Sequence, residues 1–387
     1  MDLALTEEQT LIKDTAAKFS SQELAPVAGS LENGGGRDTY LRNLKQMAEL
    51  GLMGLNVSDD YGGTDAGVVA FSLAMTEIAR GCASTAVSMS VTNLVAEVIQ
   101  SIGTAEQKAR YIPLLCDGSY PAGSFCLSEA GAGSDPSSVQ TRATKDGDEW
   151  IINGTKMWIS SAEFAGLFVV WAVTDPSAPK GKGITCFLVE RDTLGLSIGP
   201  GEKKLGQRAS PTNPVIFEDC RVPASAILGE LNDGFRIAVA ELTGGRIGIG
   251  SLALGVASAA MDYATGYVTE REQFDTKISD FQGIQWMLAD TYTELEAARL
   301  LLMNAAYLKE NDLPFAKQAS MAKLYATEAA NRACYQAIQL MGGVGYTEEV
   351  PLERYARDVR VTSIYEGTSE IQRVIIAREL LRDFAQA

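Results

Sequence analysis

The chain has 387 residues, is 46% hydrophobic, and carries 33 Lys and Arg against 49 Asp and Glu, a net charge of −16. That acidity disfavours sequence-independent contact with nucleic acid or an anionic membrane, so any phosphate must be met locally by backbone N–H groups and placed Arg, Ser or Thr side chains. There is no histidine, which removes the usual zinc sites and the Ser-His-Asp triad and forces any general base to be another side chain.

Six cysteines, at 82, 116, 126, 186, 220 and 334, form no C-x-x-C pair and read as small buried hydrophobes of a reducing compartment. The start, MDLALTEEQT, lacks the basic and apolar regions of a signal peptide, and no run of 18 apolar residues is present. The expectation is a cytoplasmic protein with no membrane span.

Residues 1–118 read as a helical domain. TEEQ at 6–9 is a capping box, Leu11, Ile12, Ala16 and Phe19 share a face, and Pro26 ends the run; further helices are expected near 38–51, 68–81, 84–101 and 104–115. Residues 119–230 change to short β-branched runs: 167–173, 183–190 and 214–219 have strand length, and Asn153-Gly154 predicts a type I′ hairpin turn within 149–160. Residues 231–387 return to long helices, with apolar positions at three- and four-residue spacing from Ile284 to Leu302 and from Met321 to Met341. The fold class is α+β, mostly α: a helical domain, a β-barrel or sandwich, and a C-terminal four-helix bundle that packs on a second subunit.

No G-x-G-x-x-G, P-loop or G-x-S-x-G motif occurs. Four stretches remain: FCLSEAGAGSD (125–135), KMWISSA (156–162), QLMGGVGY (339–346) and IYEGTSEIQR (364–373). Each admits a plain reading: a small-residue turn, a buried structural Trp, a helix C-cap, and a solvated acid near a helix start. In the last, Ser369 and Gln372 are spaced as a capping box, which leaves Glu366 on an adjustable loop just outside the helix.

Taken together and in order, these stretches, with ELTGGRIGIGSLALG and REQF followed by Gln282, resemble the acyl-CoA dehydrogenases end to end, and most nearly their short-chain, butyryl-CoA type. The resemblance implies FAD, a trans-2-enoyl thioester product, a homotetramer built as a dimer of dimers, and an electron-transfer flavoprotein as electron acceptor. It implies that Glu366 is the α-proton base, since a carboxylate in an apolar site can be raised toward the working pH. Another branch carries its base just before the arginine of TGGRIGIG; here that position is Gly245.

The remaining roles are likewise implied by the resemblance. Phe125, Leu127 and Ser128 resemble residues along one side of the flavin, and Trp158, Ile159 and Ser160 its opposite wall. Ser134 resembles a residue near the CoA phosphopantetheine or pyrophosphate. Arg271, Gln273, Phe274, Gln282, Gln339, Gly342 and Gly343 resemble contacts to FAD from the neighbouring subunit, Thr368 and Glu370 contacts to its phosphate and adenine. Thr243, Arg246, Tyr365 and Gly367 lie on the substrate side. Two departures are visible: Asp275 stands where Gly usually follows Phe274, and Ala130 replaces a common proline. An oxidase or a monooxygenase using molecular oxygen on the same fold is the alternative.

Overall fold

The computed structural model describes residues 4–32 and 36–386. The helical part comprises α1 (Glu7–Phe19), α2 (Ala28–Leu31), α3 (Arg37–Glu49), α4 (Gly67–Gly81), α5 (Ala83–Ile102) and α6 (Ala105–Cys116). Thr6 caps α1 with Gln9 as the spacing predicts, and Thr104 with Gln107 does the same for α6. The α5 sequence ASTAVSMSVTNLVA is buried at every position, because small side chains let the surrounding elements approach from all sides.

The sheet comprises β1 (Ala122–Cys126), β2 (Arg142–Asp146), β3 (Glu149–Ser160), β4 (Ala165–Val173), β5 (Ile184–Glu190), β6 (Leu196–Ile198), β7 (Thr212–Pro223) and β8 (Ile227–Leu228). The strand order is β6-β7-β3-β2-β4-β5-β8, with β1 parallel to β4. Alternation along β4 separates two cores. Phe168, Val170 and Ala172 join Trp150, Phe187 and Phe217 in a core within the sheet, whereas Leu167, Val169 and Trp171 join the helices. Burying a side chain such as Phe168 is worth about 1.5–3 kcal/mol. The Trp171 indole N–H donates to the Gly234 carbonyl at 2.7 Å, which ties β4 to the helix that follows the sheet.

The expected hairpin at Asn153-Gly154 is absent: β3 runs straight through it and pairs with β7. Gly154, at φ +148°, lies at a register shift pressed against Thr141. Asn153 exchanges hydrogen bonds with Asp219 on β7, accepting from its N–H at 2.8 Å and donating to Oδ1 at 3.1 Å. The dipeptide therefore makes a bulge, and the turn joining β2 to β3 falls earlier, at Gly147.

The C-terminal part comprises α7 (Gly234–Glu270), a small hairpin of β9 (Glu272–Gln273) and β10 (Thr276–Lys277), then α8 (Gln282–Glu310), α9 (Ala316–Met341), α10 (Leu352–Arg360) and α11 (Ser369–Gln386). Helix α7 is apolar and long enough to cross a membrane, but 78% of its most apolar window is buried in the fold, as befits a core helix. Its glycines give close approach: a Cβ at Gly255 would stand 2.1 Å from the Thr76 carbonyl oxygen of α4.

Candidate active site

Glu366 lies on the short loop between the 3-10 turn Val361–Ser363 and α11. Its φ is +51° and that of Gly367 is +92°; a left-handed non-glycine residue costs of order 1–3 kcal/mol and persists only where its surroundings hold it. The Gly367 carbonyl accepts from Lys323 Nζ at 2.8 Å and from Gln372 Nε2 at 3.0 Å. Tyr365, one residue before the acid, accepts from Gln207 Nε2 at 3.1 Å through its hydroxyl. Gln207 is itself anchored, its Nε2 donating to the Asp358 carbonyl at 3.1 Å.

Gln372 thus serves the Glu366 loop rather than the helix cap. The cap of α11 is Thr368, whose hydroxyl accepts from the Ile371 N–H at 3.3 Å; the Ser369 hydroxyl turns instead to Glu328 at 2.6 Å. The capping box expected at Ser369 and Gln372 is not formed, because the strained loop claims the glutamine.

The Glu366 residue is half-buried, yet its carboxylate Oε2 is fully buried and without a hydrogen-bond partner. Burial pushes the carboxyl up to about 7, against the opposing pull of Lys323 and Arg246. Arg246, on α7, donates to Ser320 Oγ at 3.2 Å and to Thr243 Oγ1 at 3.4 Å. Its own burial draws it down to about 10, with Glu366 opposing.

Beside the carboxylate there is room for nothing on Gly245: a Cβ there would stand 2.4 Å from Glu366 Oε2. Gly245 also lines a narrow pocket with Val68, Phe71, Ser90, Leu94 and Gly244, where Glu97 and Lys309 form an ion pair. A larger open cleft between α8, α9 and α11, lined by Leu301, Leu324 and Ile376, includes no residue of the Glu366 loop.

Two of the other three motif-bearing segments, 125–135 and 156–162, meet at the β1 exit. The Met157 N–H donates to the Ser128 carbonyl at 2.9 Å, and the Ser124 hydroxyl donates to the Ser160 carbonyl at 2.8 Å. Beneath them Lys156 Nζ, wholly buried, donates to the Leu127 carbonyl at 3.1 Å and to Glu129 Oε1 at 2.8 Å. Glu129 is buried, but Lys156 and the backbone N–H groups of Gln140 and Thr141 hold its carboxyl below the usual range. The plain reading of Trp158 as a core residue does not hold: the indole is 51% exposed and its backbone is left-handed, at φ +59°. Ile159 beside it is buried, so the strand end presents an exposed aromatic ring.

The acyl-CoA dehydrogenase N-terminal, middle and C-terminal domain families match residues 6–119, 124–220 and 232–381. The chain belongs to the acyl-CoA dehydrogenase family. The short-chain specific acyl-CoA dehydrogenase of Rattus norvegicus mitochondria is 46% identical over 98% of this chain and 92% of its own length. The structure of butyryl-CoA dehydrogenase from Megasphaera elsdenii superposes with TM-score 0.94 at 37% identity, covering 98% of this chain and all of that one. A chain from a structure of the electron transferring flavoprotein of Acidaminococcus fermentans superposes with TM-score 0.95 at 39% identity, covering 99% and 100%.

FAD is the cofactor of acyl-CoA dehydrogenases, and the residues present fit it: an exposed indole at a strand end, and small-residue loops where backbone can approach a diphosphate. A Cβ at Gly342 or Gly343 would meet nothing within 4 Å. Phe125, half-buried, packs on Trp171 at 4.2 Å between ring centroids. Leu127 is buried, whereas Ser134 is exposed on the loop. Thr368 and Glu370 begin α11, within four residues of Glu366.

Arg271, Gln273, Phe274, Gln282, Gln339, Gly342 and Gly343 are all exposed, and no hydrogen bond among the described residues joins them to Trp158 or Glu366. Phe274, 91% exposed, and Asp275 form the tip between β9 and β10 with φ of +57° and +58°. Positive φ at both central positions is the type I′ signature, so the turn chemistry expected at Asn153-Gly154 occurs here without a glycine.

Sequence reasoning missed Lys323, Gln207 and the Lys156–Glu129 pair. Lys156 and Glu129 stood inside the quoted motifs, but no local signal marks a lysine as buried. Lys323 sits one residue after Ala322 in a helix whose apolar period offers no charged position.

Proposed function

We propose that this acyl-CoA dehydrogenase desaturates a short-chain acyl-CoA between Cα and Cβ, with Glu366 as the α-proton base. The observation that carries the reading is the buried, unpartnered Glu366 Oε2 facing Gly245 of α7. FAD, when bound, supplies the acceptor for the β hydride. The Cα–H proton passes to Glu366, its electron pair forms the new double bond, and the product is the trans-2-enoyl thioester. The thioester oxygen is met by the backbone N–H of Glu366, a donor aimed where enolate charge develops.

The residues around Gly245 support the short-chain reading. Phe71 and Leu94 narrow the pocket there, and the Glu97–Lys309 pair presents charge to a longer alkyl tail. Helices α5 and α7 both contribute to it, through Ser90, Leu94, Gly244 and Gly245. One methylene in such a pocket changes discrimination by about 1–3 kcal/mol. The M. elsdenii and rat relatives, named for butyryl and short-chain substrates, support the same class.

In this proposal Phe125, Leu127, Ser128, Trp158, Ile159, Ser160, Thr368 and Glu370 hold the flavin of their own subunit, while Ser134, Thr243, Arg246, Tyr365 and Gly367 lie along the acyl-CoA. The exposed set from Arg271 to Gly343 meets the flavin of a neighbouring subunit in a homotetramer, which accounts for exposed residues remote from the base. Electrons leave to an electron-transfer flavoprotein, in keeping with the A. fermentans neighbour, and the enzyme works in the cytoplasm.

The test is anaerobic mixing of the purified flavoprotein with butyryl-CoA beside Glu366→Gln. Bleaching of the flavin band in the parent, with loss of about 10² to 10⁴ in rate in the variant, is expected. Equal rates would reduce Glu366 to a structural role; no bleaching in the parent would refute the substrate class.

A further inference from the structure

We propose that Lys323 is a positioning residue for the base: its ammonium pins the Gly367 carbonyl and sets a positive charge behind the Glu366 carboxylate. The inference rests on Glu366 being the base. Lys323 lies in the middle of α9, fully buried among Ala319, Ala322 and Ala326, where an ammonium is costly unless its charge and donors are used. Nζ donates to the Gly367 carbonyl at 2.8 Å. That carbonyl closes a pair of successive left-handed residues, Glu366 and Gly367, so the lysine fixes the C-terminal end of the strained loop from the α9 side while Gln372 fixes it from α11.

The charged groups facing Lys323 are Glu366, Arg246 from α7, Glu328 from its own helix and Glu370 from α11. Glu328 is engaged by the Ser369 hydroxyl, and Glu370 is exposed. Those facing Glu366 are Lys323 and Arg246. Burial draws the Lys323 ammonium down to about 8, with Glu366 pulling it back up, as two opposite charges sharing one dry site require. Lys323 is the first cation opposing the burial of the Glu366 carboxyl, and an opposite charge favours the ionised form, so Lys323 keeps the buried base ionised at working pH.

The experiment measures kcat/KM for butyryl-CoA across the acidic to alkaline range in the parent, Lys323→Met and Lys323→Arg holoenzymes. In Lys323→Met the ascending limb moves up by about 1–3 pH units; Lys323→Arg keeps the parent midpoint. A uniform loss at every pH with an unmoved midpoint would make Lys323 a packing residue and overturn the proposal. Should the methionine variant not fold, the lysine can be read directly: isotope-labelled Lys323 Nζ titrates lower in Glu366→Gln than in the parent, and an unchanged titration overturns the proposal. Failure of the underlying reading is separate, since it shows as a parent that butyryl-CoA does not bleach or a Glu366→Gln variant that reacts at parent rate.

Discussion

Lys156 Nζ stands 2.8 Å from Glu129 Oε1 with no exposure of its side chain, so the segments on either side of the Trp158 surface share one buried ion pair. Removing one partner of such a pair leaves an uncompensated charge. Lys156→Met is therefore expected to destabilise the fold by about 3–5 kcal/mol, because Glu129 loses its cation, and to release the Leu127 carbonyl as well. Denaturant unfolding and the flavin content of the purified variant check this together: both fall. Replacing both partners, as Lys156→Met with Glu129→Leu, recovers part of the stability, though the backbone N–H groups of Gln140 and Thr141 remain unmet.

The pH profile follows from the Glu366 carboxyl at about 7. A base must be ionised, so kcat/KM falls about tenfold per pH unit below that value and levels off above it. Stability runs in the opposite sense. Because the folded value is raised, Glu366 contributes stability that is fully present below the ordinary carboxylate range, about 4.3, and lost as pH rises through about 7. Glu366→Gln removes that contribution, so its unfolding free energy declines less across this window than the parent's; equal slopes would contradict the burial of the carboxylate. Asp358, also raised to about 7 by burial, retains its share of the slope in the variant.

Gly245→Ala brings a methyl group to within 2.4 Å of where Glu366 Oε2 now lies. The carboxylate must move, and a displacement of about 1 Å costs of order 10²-fold in rate. Rapid-mixing reduction by butyryl-CoA checks the loss, and flavin absorbance shows that the cofactor is kept.

Asp275→Gly frees a left-handed position at the tip of the β9–β10 hairpin, where an L-residue carries roughly 1–2 kcal/mol of strain that Asp only partly relieves. The variant is expected to unfold at higher temperature. If this hairpin meets the diphosphate of a neighbouring subunit's FAD, removing the carboxylate also tightens FAD, which titration of the apoprotein measures.

Much of the fold was legible because periodicity reports burial directly: the cap at Thr6, the helices that became α3 to α6, and the runs that became β4, β5 and β7 lie where the pattern places them. Asn153-Gly154 failed because a dipeptide signal cannot distinguish a turn from a bulge when Asp219, 66 residues away, supplies the hydrogen bonds. For the site, the resemblance picked out Glu366. Its neighbours Lys323, Gln207 and Gly245 are 43, 159 and 121 positions distant in sequence, and only tertiary folding brings their chemistry to it. The swap of Gln372 from helix cap to loop anchor was invisible for a related reason: a cap N–H and a loop carbonyl compete for one side-chain amide, and local spacing records only the first.

The space between Gly245 and Glu366 also constrains how such a site can change. A carboxylate introduced at 245 would enter the volume that Oε2 of Glu366 already fills, and two buried carboxylates at that separation would repel each other strongly. Replacing Glu366 first leaves no proton acceptor. Each single-substitution route therefore crosses a poorly active form, and the location of the base is inherited as a unit with the size of the residue that faces it.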